Sequence, residues 1–288
     1  MDAAQTIILG ANGQLGQALQ ARFPEAVAVG HTELDITDWA SVQAYDWSKV
    51  RVIINAAAYT NVDGAETAEG RVDAWQINAS ALGSLAKVAS EHDITLVHVS
   101  SEYVFDGSKS PHTEDEPFSP LGVYGQSKAA GDIAASTLPK HYILRTSWVI
   151  GDGKNFVRTM IGLADKSISP TVVADQIGRL TFTDTIVEAI DHLLSTNAAH
   201  GTYNVSNSGE PASWADITRA ILEALGRTDL VVADTSTAEY FASKPNVAPR
   251  PLQSTLDLHK LEATGFVLRD WHDDLHSYID NEMKKEQA

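Results

Sequence analysis

The chain contains no cysteine and only three methionines, and aromatic residues occupy just 7% of its 288 positions. Without thiols there is no disulfide framework, no thiolate nucleophile and no sulfur-ligated metal site, a composition compatible with a reducing compartment. Positive charge is scarce too: 21 Lys and Arg stand against 38 Asp and Glu, a formal net charge of -17. A surface of that sign repels nucleic-acid backbones and anionic lipid, so neither is an expected partner. No apolar run approaches the roughly 20 residues of a membrane span. The first residues also lack the basic stretch and small-residue cleavage site of an export signal. A soluble, cytoplasmic protein is expected, without internal repeats or low-complexity segments.

What is present is alternation. Thr6-Ile7-Ile8-Leu9 reads as a strand, followed at once by Gly10-Ala11-Asn12-Gly13-Gln14-Leu15-Gly16 and then by Leu15, Leu19 and Phe23 at helical spacing. Strand, glycine turn and helix in that order form a cradle for a diphosphate, because absent side chains let backbone approach the anion while helix N-terminal amides face it. A tight turn with no ligand would use the same glycines. Further strands are expected at Ala26 to Val29, Val52 to Ile54, Leu96 to Ser101 and Tyr142 to Leu144, with helices at Trp39 to Tyr45, Val72 to Ser90 and Ser127 to Thr137. Such a chain folds as α/β, a Rossmann-like doubly wound, mostly parallel sheet binding ligands at the carboxyl ends of its strands.

The cofactor side then follows. The second strand ends at Gly30-His31-Thr32 without an acid at its tip, where an Asp would hold the ribose 2'-hydroxyl and repel a 2'-phosphate. NADPH is therefore expected, with NADH as an alternative because no Arg stands ready for the phosphate. Asp35, about 20 residues beyond the glycines, is the counterweight, and Asp35-Ile36 is placed to hold the adenine. The small residues Ala56, Ala57 and Ala58 after the third strand let a flat ligand lie on backbone, and equally suit close helix packing.

The chemistry is expected between Leu96 and Gly131. A short strand ends at Ser101, and Tyr124 and Lys128 lie one helical turn apart. An ammonium on the same face favours the phenolate and lowers the phenol pKa, so Tyr124 can serve as a general acid for the alkoxide formed by hydride reduction of a carbonyl. Ser101 polarises that carbonyl. Tyr-x-x-x-Lys alone also occurs in helices without chemistry; what precedes it gives it weight. Between the two lies a proline-rich loop, Gly107 to Gly122, expected to be mobile and to order over the ligand, or else to be a rigid surface connection.

Beyond Gly151 the pattern is less regular. Helices are expected at Asn155 to Lys166, Asp184 to Leu194, Ser213 to Leu225, Asp257 to Thr264 and Asp270 to Met283, with strands near Thr171 to Val173 and Thr202 to Val205 and a frayed tail from Asn281. The expected division is a dinucleotide-binding domain of residues 1–149 plus about 181–206, and a smaller C-terminal substrate-binding domain of about 150–180 and 207–288. His272 and His276 have metal-ligand spacing but no third ligand, so no metal is expected.

Several motifs together carry a resemblance: Gly10-x-x-Gly13-Gln14-Leu15-Gly16, Leu34-Asp35-Ile36-Thr37-Asp38, Asn55-Ala56-Ala57-Ala58-Tyr59-Thr60-x-Val62-Asp63, Ser100-Ser101-x-Tyr103-Val104-Phe105-Asp106-Gly107, Val123-Tyr124-Gly125-x-x-Lys128, Arg145-Thr146-Ser147-Trp148-Val149, Asp175-Gln176-x-Gly178-x-x-Thr181 and Arg250-Pro251-x-x-Ser254-x-Leu256-Asp257. Covering nearly the whole chain, they resemble dTDP-4-dehydrorhamnose reductases, extended short-chain dehydrogenase/reductases of nucleotide-sugar metabolism.

The resemblance implies an enzyme that reduces the 4-keto group of dTDP-4-dehydro-L-rhamnose in dTDP-rhamnose biosynthesis, as a monomer or homodimer. It implies a catalytic triad of Ser101, Tyr124 and Lys128, with Lys128 also holding the cofactor ribose. Thr60, Val62, Asp63, Glu102, Tyr103 and Trp148 would hold the sugar nucleotide, with Arg250 on its diphosphate. Three departures stand out: Glu102 where Asp is usual, Gly64 where Lys is common, and Arg179-Leu180 in a segment that usually reads Gly-x-Pro-Thr. Two other readings share these motifs. One is a catalytically silent subunit like the beta subunit of methionine adenosyltransferase, the other a different nucleotide-sugar reductase or epimerase.

Overall fold

Residues 3–286 are described by the computed structural model. Five strands and five helices alternate through the first half: β1 (Thr6–Leu9), α1 (Gln14–Arg22), β2 (Val27–Val29), α2 (Trp39–Ala44), β3 (Val52–Asn55), α3 (Ala68–Trp75), α4 (Ala81–Glu91), β4 (Thr95–Ser101), α5 (Val123–Ser136) and β5 (His141–Thr146). A sixth strand, Gly201–Asn204, joins the far edge, and the order across the sheet is Gly201–Asn204, β5, β4, β3, β1, β2, every pair parallel. The chain reverses direction beside β1, so a crevice opens at the carboxyl ends of β1 and β3.

Period two in the strands decides which helices cover which face. Ile7, Leu9, Ile53, Leu96 and Ile143 point to the side covered by α4 and the end of α5, while Ile8, Ile54, Val97, Tyr142 and Leu144 pack on α1 and the helix Thr183–Ser195. A separate core joins the helices Phe156–Asp165, Trp214–Ala224 and Trp271–Glu286 through Val157, Ile161, Ile217, Ile221, Trp271 and Leu275. Phe182 belongs to that core, whereas Leu261, Phe266 and Leu268 pack back on the sheet.

The elements depart from the sequence expectation where side chains from afar intervene. The helix expected from Val72 begins at Ala68, because the Thr67 hydroxyl caps it by accepting from Gly70 N–H at 3.0 Å, and it passes through a π-turn at Gln76–Ser80 before α4. α5 begins at Val123, not Ser127, since the Glu66 carboxylate accepts the Val123 N–H at 2.8 Å. A short helix, Thr237–Phe241, was not expected although its capping box, Ser236 with Glu239, is written in the sequence. The tail does not fray at Asn281: helix continues to Glu286, and Lys285 donates to Asp152 at 2.9 Å. Gln287 and Ala288, also in the expected tail, lie outside the described residues. No helix among the described residues is long and apolar enough to cross a membrane.

Candidate active site

The glycine turn closes the end of β1. Gly10 has φ +82°, and a Cβ there would sit 2.6 Å from Ala57 N, so neither the backbone conformation nor the contact with the β3 tip admits a side chain. Gly13 is the N-cap of α1 and offers no side-chain cap, which leaves the first-turn amides for a ligand. Gln14 fastens the turn to the C-terminal half by accepting from Gly151 N–H at 3.1 Å.

Two lobes of one cleft meet here, sharing Asn12, Gly13, Ala56 and Ala58. One, of about 580 Å³, runs over Gly10, Gly30, His31, Ile36 and Ala57. The other, of about 660 Å³, holds Gln14, Leu15, Ser101, Tyr124 and Lys128. The first lobe suits a nucleoside and the turn between them a diphosphate, so the residues present fit a dinucleotide.

Ser101 ends β4, and its Oγ accepts from Tyr103 N–H at 3.2 Å, starting a single 3-10 turn, Glu102–Val104. α5 is pressed against that turn at Gly125, where a Cβ would meet the Tyr103 carbonyl at 2.1 Å. This contact brings Tyr124 beside Ser101, with the Tyr103 and Tyr124 rings edge to face at 5.3 Å. Lys128, fully buried, donates to Val99 O at 2.7 Å and faces His98 Nε2 at 3.4 Å. Beneath it Asp132 is paired with Arg145 at 3.0 Å.

The electrostatics correct one expectation. Burial, then the charge of Glu102, push the Tyr124 phenol above its ordinary value, and the Ser101 hydroxyl only partly offsets this. The Lys128 ammonium does not lower it: it donates to Val99 O and lies 3.4 Å from His98 Nε2, and burial brings its own pKa down to about 8. A phenol held this high stays protonated at neutral pH, the form that can donate a proton. Glu102 exposes 3% of its surface, and burial raises it to about 7 against hydrogen bonds from Ser101 and its surroundings.

The expected sugar-side residues divide in two. Thr60, Val62, Glu102, Tyr103 and Trp148 line the catalytic lobe. Trp148 takes φ 45°, a conformation few non-glycine residues adopt, and stacks on Trp214 at 3.8 Å. Asp63 and Arg250 instead pair with each other at 2.9 Å, Arg250 also lying over Phe241 and bordering a cavity of about 170 Å³ with Phe156, Gln176 and Trp214. Burial works to raise the Asp63 carboxyl, but Arg250 and the Ala248 N–H outweigh it and hold it low.

On the cofactor side, Gly16 lies under the turn, packed on Gly10 O, and touches neither lobe. Asp35 also turns aside, accepting from Thr37 N–H at 2.9 Å, with exposed His31 at 3.4 Å. A second correction concerns the β2 tip, where no acid was expected. Glu33 folds back so that its carboxylate accepts the Gly30 N–H at 2.9 Å. Asp73 and Gln76, which follow β3, line the cofactor lobe beside Gly30. Sequence reading missed Asp73 and Gln76 because they come from a neighbouring element, and Glu33 because its carboxylate folds back onto the Gly30 amide. His272 is held by Asp270 at 2.8 Å, and no group of three or more metal-ligating side chains occurs among the described residues.

A doubly wound parallel sheet with Ser, Tyr and Lys gathered where the glycine turn opens defines an oxidoreductase of the short-chain dehydrogenase/reductase class. Comparison with known proteins narrows this. The family model described as RmlD substrate binding domain matches residues 4–284, and the chain belongs to that family. It is 40% identical over 286 residues to the dTDP-4-dehydrorhamnose reductase of Aggregatibacter actinomycetemcomitans, covering 93% of this chain and 96% of that one. It is 37% identical over 275 residues to a probable dTDP-4,6-dihydroxy-2-methyloxan-3-one 4-ketoreductase of Streptomyces antibioticus, covering 92% and 91%. Among solved structures, dTDP-4-dehydrorhamnose reductase of Bacillus anthracis in complex with NADP superimposes with a TM-score of 0.86 at 35% identity, covering 96% of this chain and 98% of that one.

Proposed function

We propose that the protein reduces the 4-keto group of dTDP-4-dehydro-L-rhamnose to give dTDP-L-rhamnose, using NADPH, with NADH as an alternative. The observation that carries this reading is the group of Ser101, Tyr124 and Lys128 lining the cleft, in a chain similar over 93% of its length to a dTDP-4-dehydrorhamnose reductase.

When bound, the reduced nicotinamide supplies the hydride to the carbonyl carbon. The turn from Gly10 to Leu15, with His31, Ile36 and Ala56 to Ala58, would hold the cofactor. Tyr124 donates its phenolic proton to the carbonyl oxygen as that oxygen gains negative charge, and Ser101 donates a hydrogen bond to the same atom. Lys128, with a pKa of about 8, is mainly an ammonium at neutral pH and would hold the ribose of the nicotinamide. Thr60, Val62, Tyr103 and Trp148 wall the sugar. Arg250, beside Phe241 and Trp214, borders the nucleotide end, with Asp63 fixing its direction. We further read the protein as a cytoplasmic enzyme, monomeric or homodimeric, meeting a soluble anionic substrate.

The test is incubation with dTDP-4-dehydro-L-rhamnose and NADPH while following nicotinamide absorbance and product. Tyr124→Phe should lower kcat by about 100 to 10,000 fold. No turnover by the wild type would leave a catalytically silent subunit in its place. Reduction of a different dTDP-4-keto sugar is a second reading, favoured by Glu102 on the sugar wall and by the Streptomyces relative.

A further inference from the structure

Glu102 is a buried carboxyl on the sugar wall of the cleft, and the reduction above gives it no part in the proton transfer. Its Oε2 accepts the Ser101 hydroxyl proton at 2.8 Å, and its buried Oε1 makes no hydrogen bond. The side chain lines the catalytic lobe together with Ser101, Tyr103, Tyr124 and Lys128. In this arrangement the proton that Ser101 should offer to a carbonyl points at a carboxylate.

We propose that Glu102 is a positioning residue acting through Ser101: as the neutral acid it donates to Ser101 Oγ and turns the Ser101 hydroxyl onto the reacting carbonyl, and as the carboxylate it draws that hydroxyl away. No bond to carbon is made or broken in this step; one proton rests on Oε2 or is released to solvent. The inference rests on the reduction proposed above and names what regulates its hydrogen-bond donor.

The surroundings favour the neutral form. An ionised Glu102 would carry its charge in a desolvated wall, an expensive state that the Ser101 and Ser254 hydroxyls offset only in part. From its own turn it faces Tyr103, from α5 Tyr124, and from the segment after Arg250 the Ser254 hydroxyl. None of these carries a positive charge; the Ser254 and Ser101 hydroxyls and the amides of the turn favour the carboxylate, and burial outweighs them. The nearby charges are already committed: Lys128 donates to Val99 O with Asp132 beneath it, and Arg250 is paired with Asp63. The carboxyl titrates at about 7, which places the switch in the physiological range. A negative Glu102 also opposes the charge that develops on the carbonyl oxygen and raises the phenol of Tyr124, so protonation helps both donors.

The experiment is kcat/KM for the keto sugar at saturating NADPH, at pH 6 and pH 8, for wild type, E102Q, S101A and S101A/E102Q. With a midpoint of about 7, the neutral fraction falls roughly tenfold across that interval. The wild type should therefore lose about tenfold, mainly in kcat. E102Q, permanently neutral and able to donate, should change by about twofold or less, and the two Ser101 variants should not differ from each other in slope. Equal slopes for wild type and E102Q overturn the proposal.

Difference infrared spectra of wild type against E102Q follow the carboxylic C=O stretch without any substrate. A band lost with a midpoint near 7 supports the proposal, and a Glu102 already ionised at pH 6 overturns it. That arm decides even if E102Q is inactive. Should the wild type not reduce the sugar at all, the functional reading fails while the infrared result still judges the state of Glu102.

Discussion

Gly125→Ala should damage catalysis far more than folding, and the structure says by how much. The added methyl would lie 2.1 Å from the Tyr103 carbonyl oxygen, against 3.4 Å where ordinary contact begins, so α5 and the Ser101 turn must part by about 1.3 Å. Both backbones are regular there and neither offers a flexible tip to give way. Overpacking of this kind costs about 1 to 3 kcal/mol, while replacing a helical Gly with Ala returns about 1 kcal/mol, so the net loss of stability is about 0 to 2 kcal/mol. The rate is less forgiving: Tyr124 moves with α5 and Ser101 with β4, and a misplacement near 1 Å costs on the order of 100-fold. The assay is kcat under saturating substrates beside urea unfolding and NADPH affinity. A variant that binds NADPH normally and keeps the wild-type kcat would refute the claim that this contact sets the distance between Tyr124 and Ser101.

Other consequences concern single groups. Because Glu102 ionises at about 7 when folded and at 4.5 when free, the folded state holds the extra proton between those values, and stability falls as pH rises through that window. The loss is about 3 kcal/mol, and urea unfolding at pH 5 and 8 should show it missing from Glu102→Gln; parallel losses in both proteins would contradict it. Glu33, held at the β2 tip by Gly30 N–H and kept below the usual carboxylate range by Thr32 and that amide, would oppose a 2'-phosphate bound beside Gly30. Glu33→Gln should raise the NADPH-to-NADH affinity ratio by roughly fivefold in a fluorescence titration, the Coulomb scale of nearby charges in water, and an unchanged ratio would clear Glu33 of that role. The loop after Gly107 is tied along its middle by His112 to Glu116 and Gln253 O, by Glu114 to Asn204 N–H, and by Ser119 N–H to Val104 O. Hydrogen exchange should find the His112 and Ser119 amides protected without any ligand; fast exchange there would restore a mobile lid.

The sequence by itself determined whatever depends on near neighbours. Strand, glycine turn and helix from Thr6 to Arg22 are written in adjacent residues, and one helical turn between Tyr124 and Lys128 follows from helix geometry once α5 forms. Alternation of apolar runs then implied a parallel sheet with its site at the strand ends, and so the chemistry. Tertiary structure decided which of these groups are engaged and in what state. Lys128 of α5 points to Val99 O of β4, Asp63 meets Arg250 across most of the chain, Trp148 finds Trp214, and Glu33 folds back to a strand tip that looked free of acid. The proton affinities of Tyr124 and Glu102 belong to the same class, for they are set by desolvation. Desolvation depends on everything packed around a side chain, and here that includes Tyr124 beside Ser101 and Glu102, and Ser254 from far along the chain.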